Sequence, residues 1–191
     1  MKYLKTFEKH IKLDLDDNDQ IYLMTQYIKE YDTSTLSDKK IILYKIKKLF
    51  VNGFDPNTNF IDSNLPFVTI LNKTSRYYHE LLELFVKFGL SGLISHTILL
   101  NHVIPWLGTD SYNSIKKLKL LLDSDIDLLV KIESKITRHN NLNIFEIIDN
   151  NIEKEKISKK VADKIFDVIR IKKPEQYKQY LIQKEANKYN L

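Results

Sequence analysis

The chain contains no cysteine, which removes disulfide frameworks, thiolate zinc sites and cysteine nucleophiles at once. Glycine and proline are scarce, four of each in 191 residues, which leaves little material for a Gly-rich phosphate loop. No such loop occurs, and neither does a G-x-S-x-G nucleophile elbow. No run approaches the roughly 18 to 20 apolar residues that a membrane span requires. The start, MKYLKTFEKHIKLDLDD, lacks the unbroken apolar stretch and small-residue cleavage site of a signal peptide, so a cytoplasmic location is expected.

What is present is an ordinary globular composition. Hydrophobic residues make up 43% and charged residues 29%, enough to build a core and too apolar for a wholly disordered chain. The length suits a single domain over residues 1–191. Lys, Ile, Asn and Tyr are abundant in the way an AT-rich genome produces, so the number of lysines is not by itself a functional signal. Their placement says more. From Ile152 onward there are 11 Lys and Arg against 6 Asp and Glu, whereas the residues before Ile152 balance, so the net charge of +5 sits in the C-terminal segment.

Apolar residues spaced by three and four, with few turn formers between them, predict helices throughout. Ile42, Ile46, Leu49 and Phe50 form one stripe, Tyr78, Leu82 and Phe85 a second, and Ile115, Leu118, Leu121 and Leu122 a third. Helices are expected near 2–12, 18–31, 38–52, 66–73, 76–88, 94–103, 113–123, 143–149, 155–170 and 174–188, with 105–113 as a long loop. Short helices in pairs leave apolar stripes that only a neighbouring pair can cover, which favours a layered stack. Three segments end alike: KLFVNGFDPN from Lys48, ELFVKFGLSG from Glu83 and KLLLDSDIDL from Lys119. Their middles fall at Gly53, Gly89 and Asp125, in steps of 36 residues. Glycine there is the expected left-handed helix terminator, and Asp125 at the third position is expected to carry modest strain.

Leu49, Phe50, Val51, Gly53, Asp55 and Asn57, followed by Pro66 and Phe67 thirteen and fourteen residues after Gly53, resemble the ankyrin repeat. The likeness is strongest from Lys48 to Gly89 and covers roughly residues 18–170. Leu65, Val68 and Ile70 stand where the family has Thr, His and Ala, so much of its turn hydrogen-bond network is missing. The resemblance implies a mainly α, ankyrin-like helix-pair repeat stack. Residues 1–37 would form N-terminal helices or a cap, 38–151 the repeat core and 152–191 a basic helical cap. It further implies a non-enzymatic module that binds a protein partner through its concave surface, as an inhibitor, an immunity protein or an adaptor. Asn59, Phe60 and Asp62 are the expected turn-tip contacts, with Tyr77, Tyr78 and Trp106 on insertions as weaker ones.

Other chemistry finds little footing. Among His10, His79, His96, His102 and His139 no two stand at the three- or four-residue spacing of a helical zinc motif, so surface or partly buried roles are expected. The LDLDDND segment lacks the turn glycine and the bidentate Glu of a calcium loop. Neither metal nor cofactor is expected. Paired carboxylates distant in the chain stay open on sequence grounds. The alternative function is nucleic-acid binding through Lys159, Lys160, Lys172 and Lys173. Interleaved Glu153, Glu155, Asp163 and Asp167 favour a solvated, salt-bridged cap instead.

Overall fold

The computed structural model describes residues 16–58, 79–131 and 142–189, apart from the side chains of Asn101 and His102. Among these residues the chain is helical, with no β-strand. The α-helices are α1 (Asp17–Thr33), α2 (Leu36–Val51), α3 (His79–Lys87), α4 (Gly92–Ile98), α5 (Ser111–Leu121), α6 (Ile144–Glu153), α7 (Lys159–Lys172) and α8 (Pro174–Lys188). The chain divides into two compact units, Met1–Phe67 and Val68–Leu191. The helices expected at 2–12 and 66–73 lie outside the described residues.

Polar caps set the helix starts. The Asp16 carboxylate accepts from the Asp19 amide at 2.8 Å, and the Ser91 hydroxyl accepts from the Ile94 amide at 3.4 Å. Asn143 and Glu146 form a reciprocal capping box, each side chain accepting from the other's amide at 3.0 and 2.8 Å. In the first unit α1 and α2 are joined by Ser34 and Thr35 alone, and the short link folds them into an antiparallel hairpin. Met24, Ile28 and Tyr31 face Ile42, Ile46, Leu49 and Phe50, all buried. Lys45 crosses from α2 to the Glu30 carboxylate at 3.8 Å.

The ends of α2 and α3 share one geometry. Gly53 and Gly89 have φ of 99° and 100°. The Gly53 amide donates to the Phe50 carbonyl and the Phe54 amide to that of Leu49. Gly89 and Leu90 repeat both bonds, onto Val86 and Phe85. These are the paired bonds of a Schellman motif, which satisfy carbonyls that the helix end would otherwise leave open. The next residue is a buried apolar plug at each step of 36 residues: Phe54, Leu90 and Ile126. After the plug, Asp55 accepts from the Asn57 amide and Asp127 from the Leu129 amide, both at 2.9 Å, forming the same Asx turn. Ser91 occupies the middle position and instead caps a helix, so α4 begins three residues after Gly89 with no extended excursion between them.

Two expectations are corrected. Asp125 is not left-handed, because Glu155 is the one non-glycine residue with positive φ among those described. Helix α5 ends at Leu121, two residues ahead of the repeat register. The Ser124 hydroxyl, donating to the Leu121 carbonyl at 2.6 Å, takes up an acceptor at this helix end. Residues 105–113 are not a long loop. Helix α4 runs on through a π-helical turn, Leu99–Val103, into a 3-10 turn, Ile104–Trp106, where the missing amide of Pro105 costs nothing, and α5 starts already at Ser111.

A fourth helix end uses the motif without glycine. Glu155 has φ 56°, its amide donates to the Ile152 carbonyl and the Lys156 amide to that of Asn151. This also explains why the helix expected from 155 begins only at Lys159. A side chain in this conformation costs on the order of 1–2 kcal/mol. Glu155→Gly is therefore expected to stabilise the protein by about 0.5 to 1 kcal/mol once the extra freedom of glycine in the unfolded chain is deducted. A urea midpoint that rises by that amount with an unchanged slope would bear this out, and a fall would show that the Glu155 side chain contributes contacts of its own.

In the second unit α3 packs on α5 and α5 on α7, forming a row, while the π-helical turn after α4 lies against α5 and α6 against α7. Helix α8 closes the unit. The Tyr180 ring stacks on Phe145 of α6, with centroids 4.3 Å apart and planes 7° from parallel. Its hydroxyl donates to Asp149 at 2.6 Å, and Lys184 donates to both at 2.7 Å. Burial, reinforced by the Asp149 carboxylate, pushes the Tyr180 hydroxyl up to about 12.

Candidate partner-binding surface

Two amphipathic helices with more apolar residues than the core absorbs create an open apolar groove. In α5, Ser114, Leu118 and Leu121 point into the core, which leaves Ile115 and, one turn on, Lys119 on an adjacent face. In α7, Ala162, Ile165, Val168 and Ile169 are buried, leaving Lys164, Asp167, Ile171 and Lys172 along the edge. Where α5 and α7 meet, these side chains line a groove of about 430 Å³. Its apolar wall is Ile115, Val168 and Ile171, and Ile171 is 73% exposed.

The rim carries more positive than negative charge. Asp167 is bound by Arg170 at 2.9 Å, and Lys172 is held by Asp123 beyond the end of α5. Lys119 and Lys164 have no carboxylate partner among the described residues. Beyond Lys172 a polar clasp ties the end of α7 and the start of α8 to the 124–128 segment. Lys173 donates to the Ser124 carbonyl at 2.7 Å, and the Gln176 amide accepts from the Leu128 amide at 2.9 Å and donates to the Ile126 carbonyl at 3.3 Å.

The clasp bears on the expected nucleic-acid residues. Lys172 and Lys173 hold the 123–124 turn, whereas Lys159 and Lys160 are exposed at the start of α7. Trp106 stands 57% exposed at the end of the 3-10 turn. Asn59, Phe60, Asp62, Tyr77 and Tyr78 lie outside the described residues. No sequence motif marks Ile115, Lys119, Lys164, Val168 and Ile171 as one site. Ile115, which the sequence reading counts in the core stripe, is only partly buried, and Ile171 adds an apolar residue beside the buried face of α7.

The described histidines stand apart from the groove. His96 is buried with Ser95 on α4, and burial pulls its pKa down, an effect that Asp127 partly opposes. His79 is lowered as well, by burial and then by Lys116. Among the described residues no group of three or more His, Asp or Glu is placed to hold a metal ion, and no helix is long and apolar enough to cross a membrane.

Comparison of the chain with protein-family models, with curated proteins and with solved structures finds no match in any of the three.

Proposed function

We propose that the protein is a non-enzymatic protein-binding module built on ankyrin-like helix-pair repeats. The scaffold reading is supported by the buried plug that recurs every 36 residues at Phe54, Leu90 and Ile126, by the left-handed glycine shared by the first two steps and by the Asx turn shared by the first and third. The functional reading is carried by one observation, the open groove whose apolar wall stays uncovered beside two unpaired lysines. An inhibitor, an immunity protein or an adaptor would each use such a rigid surface, because preorganisation reduces the entropy lost on association. The turn-tip residues Asn59, Phe60 and Asp62, with Tyr77, Tyr78 and Trp106, belong to the same proposal as partner-facing positions.

The test is affinity capture with the full chain as bait, from a nuclease-treated lysate of the cells that make it. One protein is expected to co-purify in near-stoichiometric amount, and less of it with Phe60→Ala or Trp106→Ala. A parallel capture from untreated lysate that retains only nucleic acid, with no protein held once nuclease is added, would overturn the reading.

A further inference from the structure

We infer that the α5–α7 groove is the docking site for an acidic amphipathic helix of a protein partner, an inference that rests on the protein-binding reading above. Two packed helices leave between them a furrow that a third helix fills by ridges-into-grooves packing, and here the furrow has the required length. From Lys164 to Lys172 the wall runs eight residues along α7, about 12 Å of helix axis. The apolar part of that lining, Val168 and Ile171 on α7 with Ile115 opposite on α5, covers about 4.5 Å of helix axis, which seats one pair of apolar anchors of a guest helix at i and i+3 or i+4, the next turns falling against the flanking lysines.

Charge selects the guest. Within the lining, Asp167 is already neutralised by Arg170 and Lys172 by Asp123, which leaves Lys119 on one bank and Lys164 on the other without a counter-charge among the described residues. Lys160 stands exposed one turn before Lys164 and extends the positive bank. Carboxylates flanking the guest's apolar stripe would meet lysines on both sides, whereas a basic guest would be repelled. An extended nucleic acid strand would use the lysines but leave Ile171 against water, and the apolar wall therefore favours a helix with an apolar stripe.

Fluorescence anisotropy of the full-length protein with synthetic helices tests this. The probes are a Leu/Glu amphipathic peptide of roughly 20 residues, long enough to form helix on the surface, a scrambled peptide of the same composition, a Leu/Lys counterpart and a single-stranded oligonucleotide. The Leu/Glu helix is expected to bind at least about tenfold more tightly than the scrambled or basic peptide. Ile171→Asp is expected to abolish that binding, and Lys119→Glu with Lys164→Glu to reverse the preference toward the Leu/Lys peptide. All three positions are surface-accessible, and unchanged circular dichroism would confirm folding. Equal binding of the scrambled peptide, no effect of the charge reversal, or stronger binding of the oligonucleotide would overturn the inference. So would a concentration-dependent dimer abolished by Ile171→Asp, which would assign the groove to a second copy. If lysate capture of a protein persists in Ile171→Asp, the groove assignment fails while the protein-binding reading stands. If wild-type capture fails as well, both fall.

Discussion

Phe145→Ala is expected to lower the unfolding free energy by about 4 kcal/mol, the range for emptying a fully buried aromatic site. Phe145 is 0% exposed in the first turn of α6, held there by the Asn143–Glu146 capping box, and its ring is the platform on which Tyr180 lies. Removing it takes away burial and a stacked pair worth about 1 kcal/mol beyond its area. It also frees the Tyr180 ring to move away from Asp149. Because Lys184 bonds to both Asp149 and the Tyr180 hydroxyl, the loss spreads along α8. Urea unfolding should show the stability change, and hydrogen exchange should show α8 amides losing protection first. Tyr180→Phe provides the control, since it keeps the stacked ring and removes one hydroxyl, for an expected loss of about 1 kcal/mol. A loss below about 1 kcal/mol for Phe145→Ala would mean that α8 is not pinned through this ring.

Gly108→Ala is expected to cost about 3 kcal/mol, toward the upper end of overpacking penalties, and to lower the melting temperature by roughly 10 °C. A Cβ at Gly108 would lie 2.1 Å from the Lys156 carbonyl oxygen, and backbone on both sides of the contact leaves no flexible side chain to give way. The chain after the 3-10 turn and the C-terminal end of α6 would have to separate, at a place where the Lys156 amide also completes the helix-ending motif. A Cβ at Gly53, by contrast, meets nothing within 4 Å, so Gly53→Ala carries only the backbone penalty of its φ of 99°, on the order of 1–2 kcal/mol. Thermal unfolding of the two variants side by side separates crowding from conformational strain. A Gly108→Ala variant as stable as the parent would refute the close approach.

The helices were legible because their determinants are local. The expected ranges placed α1, α2, α5, α7 and α8 to within a few residues, and both left-handed glycines followed from their place after an apolar helix. The misplaced features each have their own physical cause. At the end of α5 the Ser124 amide and hydroxyl both donate to the Leu121 carbonyl, and Asp125 stays out of the left-handed region. Glu155 accepts strain because the two bonds of its motif hold it there. The 105–113 segment reads as loop on account of its Pro, Gly and Asp, yet the π-helical turn before it carries the helix on to Trp106.

The sequence by itself determined a helical chain with a helix-ending phrase recurring at 36-residue steps, since each depends on residues a few positions apart. It also placed the excess positive charge in the last 40 residues. Only the tertiary structure decided which of those charges are free. Lys172 and Lys173 look no different in sequence from Lys164, but packing α7 against α5 brings Asp123 and the Ser124 carbonyl within their reach, from about fifty positions away, and leaves Lys164 facing an open groove. A groove has no local signature, because its two walls come from helices whose pairing is a matter of long-range packing.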